Sequence, residues 1–188
     1  DDIELYEKIF AFFEANDITG FFYIGGNDSM DTVLQLSTYA KLHEKSVTIM
    51  GVPKTIDNDL CLTDHTPGFG SAAKYIATTL QEIAYDTSIY PLPSVTIVEI
   101  MGRDAGWLTG ATALSKSEDC EGPDLIYLPE VPFDIEKLLA KVKDLLKKKS
   151  SVVIAVSEGI KLADGRYVCE LGSVGDYVDA FGHKQLQG

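Results

Sequence analysis

The sequence predicts an α/β fold built on parallel sheets. Two observations carry this. Short β-branched or aromatic runs alternate along the chain with segments of helical period, and glycine-rich or polar turns follow the runs rather than flank isolated hairpins. Strand–helix–strand order calls for parallel pairing through right-handed crossovers, with helices covering the sheets.

Each element can be justified in order. Residues 2–15 have a helical period, with Leu5, Ile9, Phe12 and Phe13 as the expected apolar side. Residues 21–24 predict a short buried strand ending in Gly25 and Gly26. Residues 28–43 predict a helix and residues 46–50 the next strand. Thr66, Pro67 and Gly68 form the strongest breaker in mid-chain, and a domain junction is expected there. Residues 68–86 give the clearest helix, because Ala72, Ala73, Ile76, Ala77, Leu80, Ile83 and Ala84 keep the i, i+3, i+4, i+7 spacing. Residues 95–100 and 124–128 predict strands and residues 105–114 a helix between them. Asp134 is the expected N-cap of a helix whose stripe is Ile135, Leu138, Leu139, Val142, Leu145 and Leu146. Lys147, Lys148 and Lys149 mark its C-terminal end, where cations complement the dipole, as a solvated helix end. Residues 152–156 predict a buried strand, and Asp164-Gly165 a small hairpin between Lys161-Leu162 and the run from Tyr167 to Cys169.

Composition narrows the function classes. The 188 residues carry a formal net charge of −13, which disfavours nucleic acid or an anionic membrane as partner. A small anionic substrate remains open, since it needs only a few local cations and oriented N–H groups. No apolar run approaches the roughly 20 residues of a membrane span. Cys61, Cys120 and Cys169 are odd in number and widely spaced, which suits buried thiols in a reducing cytoplasm. Asp1 and Asp2 do not open a signal peptide, and without an initiator Met the chain is expected to be an internal piece of a longer one.

Ligands of open α/β sheets bind beyond the carboxyl ends of the strands, and four polar segments fall there. In the first, Gly25 and Gly26 precede a helix and let the backbone turn tightly towards an anion, or serve only as a turn. In residues 54–59, Asp57 and Asp59 share a face if the stretch is extended; one suits a general base, the other a metal or a supporting hydrogen bond, and Lys54 suits a phosphate. A capped polar loop fits the same residues. Met101, Gly102 and Arg103 offer bidentate phosphate recognition beside a glycine, or a surface salt bridge. Ser157, Glu158 and Gly159 offer a carboxylate for hydroxyl groups, or a helix cap. Trp107 reads as a core or rim residue, and His183 as a structural or phosphate-binding one.

Taken together, GGNDS, PKTIDND, MGR and SEG, with the terminal GHKQLQG, resemble the phosphofructokinase family from about Gly20 through Gly188. The resemblance implies a phosphofructokinase-like fold with parts of two Rossmann-like domains. Residues 1–67 would belong to the larger, donor-binding domain, residues 68–180 to the smaller, sugar-phosphate-binding domain, and residues 181–188 would return to the larger one. It implies transfer of a phosphoryl group to the 1-hydroxyl of fructose 6-phosphate, with Mg²⁺, in the cytoplasm. Gly26, Asp28 and Lys54 match donor-binding positions. Asp28 stands where nucleotide-using members have glycine, and Lys54 where pyrophosphate-using members have lysine, so pyrophosphate is the donor the resemblance implies. Thr55 and Asp57 would face the sugar, Asp57 taking the proton and Asp59 supporting it. Met101, Gly102, Arg103, Glu158 and His183 match sugar-phosphate-binding positions.

Two positions depart from the family pattern. Asn27 replaces a metal-associated aspartate, and Leu186 replaces an arginine of the sugar-phosphate pocket. They favour one alternative, a non-catalytic regulatory subunit of the same fold; the nearer alternative is an ATP-dependent member of the family. Lacking the family's first glycine-rich phosphate loop, the 188-residue piece is expected to be inactive alone. A homo-oligomer is expected, because family sites borrow groups from a neighbouring subunit.

Overall fold

The computed structural model describes residues 3–171. The chain forms two compact units, Asp1–Thr55 and Ile56–Gly188. Thr66, Pro67 and Gly68, the expected junction, lie inside the second unit. There they make the turn into a helix whose N-cap, Gly68, has φ +100°, a conformation only glycine enters without strain.

In the first unit, α1 (Ile3–Ala15), β1 (Gly20–Gly25), α2 (Asn27–Leu42) and β2 (Thr48–Pro53) follow the expected alternation. β1 and β2 pair in parallel from Gly20↔Thr48 to Gly25↔Pro53. The apolar side of α1 differs from expectation. Phe10 and Phe13 are buried and Tyr6 and Ile9 pack with them, whereas Leu5 and Phe12 are 54% and 60% exposed. Aromatic geometry selects this stripe: Phe10 stacks on Tyr39 of α2 at 5.1 Å and meets Phe13 edge-on at 5.6 Å. The expected burial of β1 also differs. Phe21 and Ile49 face that core, but Phe22 and Ile24 alternate onto the opposite face and are exposed.

The second unit holds α3 (Phe69–Ser88), β3 (Ser94–Ile100), α4 (Trp107–Ala111), β4 (Leu125–Tyr127), α5 (Ile135–Leu146) and β5 (Ser151–Ser157). Its sheet has the order β3-β5-β4, all parallel. β5 is central, and Val152, Val153, Ile154 and Ala155 are all buried. On one face, Leu80 of α3 packs on Val153 and Ala155 with Val98, Ile126 and Ala84 around it. On the other, Phe133, Ile135 and Leu138 line a cavity of about 590 Å³ with Ile154 and Val156. The expected helix over 105–114 is split: α4 ends at Ala111 and a 3₁₀ turn, Thr112–Ser115, completes it.

Two local expectations hold in the second unit. Asp134 caps α5 by accepting from the Lys137 N–H at 3.0 Å. The Asp164-Gly165 turn forms, with Gly165 at φ +87° and a Lys161↔Tyr167 antiparallel bridge across it. It continues into a 3₁₀ helix, Val168–Leu171, instead of a longer ladder. Lys149 is not merely solvated, for it pairs with Asp124 at 2.6 Å and Glu121 at 3.2 Å. Of the three thiols only Cys120 is buried; Cys61 is exposed and Cys169 half-buried. Among the described residues no helix is long and apolar enough to cross a membrane.

Candidate active site

In the first unit the carboxyl end of β1 turns into α2 through Gly25 and Gly26. A side chain at Gly25 would meet the Ser29 Oγ of α2's first turn at about van der Waals overlap, so glycine lets strand and helix close up. Gly26 is the N-cap and offers no side chain. The first helical bond runs from the Met30 N–H to the Gly26 carbonyl at 3.0 Å, so the N–H groups of Asn27, Asp28 and Ser29 lie before it, at the positive end of the helix dipole. The parallel register brings β2 to the same edge, and the Lys54 N–H donates to the Gly25 carbonyl at 2.9 Å. The Lys54 ammonium lies beside Gly26, 3.8 Å from where a Cβ would stand. Lys54, Asn27 and Asp28 are exposed, and Thr55 is 8% exposed. A glycine turn, a helix N-terminus and a lysine thus share one strand edge, an arrangement suited to phosphate.

In the second unit the register Ile100↔Ser157 places the residues after β3 and β5 side by side. Glu158 Oε1 accepts two backbone N–H groups there, Gly102 at 3.0 Å and Arg103 at 2.9 Å. Ser157 Oγ donates to the Arg103 carbonyl at 3.3 Å and accepts from the Gly159 N–H at 3.2 Å. Gly102 has φ +136° and Arg103 φ +46°, so the loop is held in a backbone shape that an L-residue rarely takes. Gly159 is required because an added Cβ would lie 1.6 Å from the Arg103 carbonyl oxygen. The carboxylate read from sequence as a hydroxyl acceptor therefore also shapes the arginine loop. Arg103 and Met101 are exposed, and among the described residues nothing pairs with the guanidinium.

Asp57 is half-buried and Asp59 exposed. Between them Asn58 has φ +60°, so the stretch is not extended and the expected shared face does not arise. Asn58 is a loop pin: 7% exposed, it accepts the Thr66 N–H on Oδ1 at 3.0 Å. Asparagine suits the position because it tolerates left-handed φ and hydrogen-bonds locally. Among the described residues no three His, Cys, Asp or Glu side chains are grouped as a metal site. Trp107 is a rim residue, 59% exposed and edge-on to Phe69 at 6.4 Å. His183 and Leu186 lie outside the described residues.

The pattern of the Phosphofructokinase family matches residues 1–186. The chain belongs to the phosphofructokinase family. Among its curated relatives, the pyrophosphate–fructose 6-phosphate 1-phosphotransferase of Halomonas elongata is 43% identical over 97% of this chain. The protein of the same name from Xanthomonas campestris is 44% identical over 97% of the chain. The crystal structure of a pyrophosphate-dependent phosphofructokinase from Nitrosospira multiformis aligns with TM-score 0.75 and 43% identity over 86% of this chain and 41% of its own. The chain spans 43% and 44% of the length of those two curated relatives. Sequence reasoning missed the pinning role of Asn58, which rests on a left-handed backbone and a bond to Thr66 eight residues on, and the requirement for Gly159, which carries no signal until the register puts two loops in contact.

Proposed function

We propose that the complete protein transfers a phosphoryl group from pyrophosphate to the 1-hydroxyl of fructose 6-phosphate, giving fructose 1,6-bisphosphate. The observation that carries the donor is the Lys54 ammonium beside Gly26, with Asp28 in the same turn where a bulkier nucleotide phosphate chain would be crowded and repelled. The names of the two curated relatives agree with this reading.

In this reading residues 1–67 carry donor binding and residues 68–180 sugar-phosphate binding. Gly26, Asp28 and Lys54 receive pyrophosphate. Thr55 faces the sugar, and Asp57 takes the proton of its 1-hydroxyl with Asp59 in support. Met101, Gly102, Arg103, Glu158 and His183 bind the sugar phosphate, the Arg103 backbone being fixed by Glu158. Such transfers depend mainly on positioning and charge neutralisation, so Lys54 and Arg103 act by offsetting phosphate charge. Mg²⁺ is held by one or two protein carboxylates together with substrate phosphates. Asn27, at the position where the family has a metal-associated aspartate, would meet such an ion through its side-chain carbonyl. When bound, that ion neutralises charge on the transferring group. The protein works in the cytoplasm as a homo-oligomer.

Replacing Asp28→Gly and Lys54→Gly together tests the donor. The pyrophosphate-supported kcat/KM is expected to fall about 10- to 100-fold, the worth of one charged hydrogen bond, while ATP becomes usable. An unchanged pyrophosphate rate would remove both residues from the donor site.

A further inference from the structure

Arg103 is followed directly by a carboxylate. Asp104 would be a natural competitor for its guanidinium, but it is engaged elsewhere. Lys161 Nζ lies 2.6 Å from Asp104 Oδ1, and the Tyr167 hydroxyl donates to the same carboxylate at 3.0 and 3.2 Å. The ammonium also sits 4.6 Å from the Tyr167 ring centroid. The backbone fixes the lysine from both sides: the Phe133 N–H donates to the Lys161 carbonyl at 2.7 Å, and Lys161 bridges Tyr167 across the Asp164-Gly165 turn. The Arg103 guanidinium is meanwhile without a partner among the described residues.

We infer that Lys161 is a positioning residue for substrate binding. It engages the Asp104 carboxylate, so the guanidinium makes no ion pair with it and stays available to the anionic sugar phosphate. The inference rests on the reading of Arg103 given above. Its chemistry is one of charge competition. An uncompensated carboxylate next to the arginine would satisfy it internally and repel the incoming phosphate, and Lys161 weakens both effects at once.

The test uses the complete enzyme, with fructose 6-phosphate as the probe. Lys161→Met is expected to raise the KM for fructose 6-phosphate roughly three- to tenfold, the effect of one unit charge several ångströms away near a protein surface, with little change in kcat. The increase should shrink as ionic strength rises, which a purely structural defect would not show. Adding Asp104→Asn to Lys161→Met should restore a near-parental KM, and Lys161→Arg should leave it near-parental throughout. Lys161→Gln serves the same purpose if the methionine variant fails to fold. Arg103→Met separates the two layers. If it leaves the KM unchanged, the reading of Arg103 and this inference both fall. If it raises the KM while Lys161→Met does not, or while Asp104→Asn gives no rescue, the inference alone is overturned.

Discussion

Replacing Gly159 with alanine is the most severe single-methyl change among the described glycines of the second unit. The added Cβ would stand 1.6 Å from the Arg103 carbonyl oxygen and 2.4 Å from its carbon. Both are backbone atoms, so no side chain can swing aside. Restoring even a tight 3.0 Å contact needs the two loops to part by about 1.4 Å. That separation breaks the Glu158 bonds to the Gly102 and Arg103 N–H groups, at 3.0 and 2.9 Å. Overpacking costs about 1–3 kcal/mol and each lost bond about 1 kcal/mol more, so a total of about 3–5 kcal/mol is expected. In a domain of this size that lowers the apparent Tm by of the order of 10 °C. Because the loop carries Arg103, the KM for fructose 6-phosphate should rise at least about tenfold. The matched control is Gly110→Ala in α4, where an added Cβ meets nothing within 4 Å; it should be neutral or slightly stabilising. Differential scanning fluorimetry and initial rates on both variants decide the matter. A Gly159→Ala enzyme indistinguishable from Gly110→Ala in Tm and KM would refute the interlocked-loop reasoning.

Other outcomes follow from the same geometry. Asp57→Asn should lower kcat by about 10² to 10⁴ with a smaller change in KM, the usual worth of general-base catalysis; steady-state assays check it, and an unchanged kcat removes Asp57 from that role. Asn58→Ala should destabilise the protein by about 2–4 kcal/mol, since it removes the buried bond to the Thr66 N–H and puts alanine at left-handed φ; urea unfolding reads this directly. Asp104 and Lys161 should leave a pH signature in the urea midpoint. The Lys161 hydrogen bond, with those of Tyr167 and the charge of Arg103, holds the Asp104 carboxyl below 3.8. Its contribution is therefore complete above pH 3.8 and lost as pH falls through the lower folded value. Lys161 is raised above 10.5, first by its bond to Asp104, so its contribution is complete below pH 10.5 and lost as pH rises through the higher folded value. Asp104→Asn should flatten both flanks.

Much of the fold was legible because periodicity reports local burial. The α3 stripe and the Asp134 cap depend on neighbours within a turn or two, and both form as read. The α1 stripe is legible only in part, because two rows of apolar residues compete on that helix: Ile9 and Phe13 pack as expected, Leu5 and Phe12 do not. What selects Phe10 over Leu5 and Phe12 is stacking against Tyr39, 29 residues away from Phe10 in sequence. The exposed face of β1 was illegible for the same reason, since a short apolar run does not say which side finds a partner. At the site, GGNDS, PKTIDND, MGR and SEG identified the segments, yet not their mutual geometry. That Glu158 folds the Arg103 loop follows only from the parallel register pairing Ile100 with Ser157. That Asn58 is a pin, and that Asp57 and Asp59 do not share a face, follows from one left-handed residue.

Donor preference of the complete enzyme tests the central claim most directly. Formation of fructose 1,6-bisphosphate from fructose 6-phosphate should be measured with pyrophosphate and with ATP, each at saturating Mg²⁺. Turnover with pyrophosphate and none above background with ATP is the expected result. Turnover with ATP alone, or with neither donor, would contradict it.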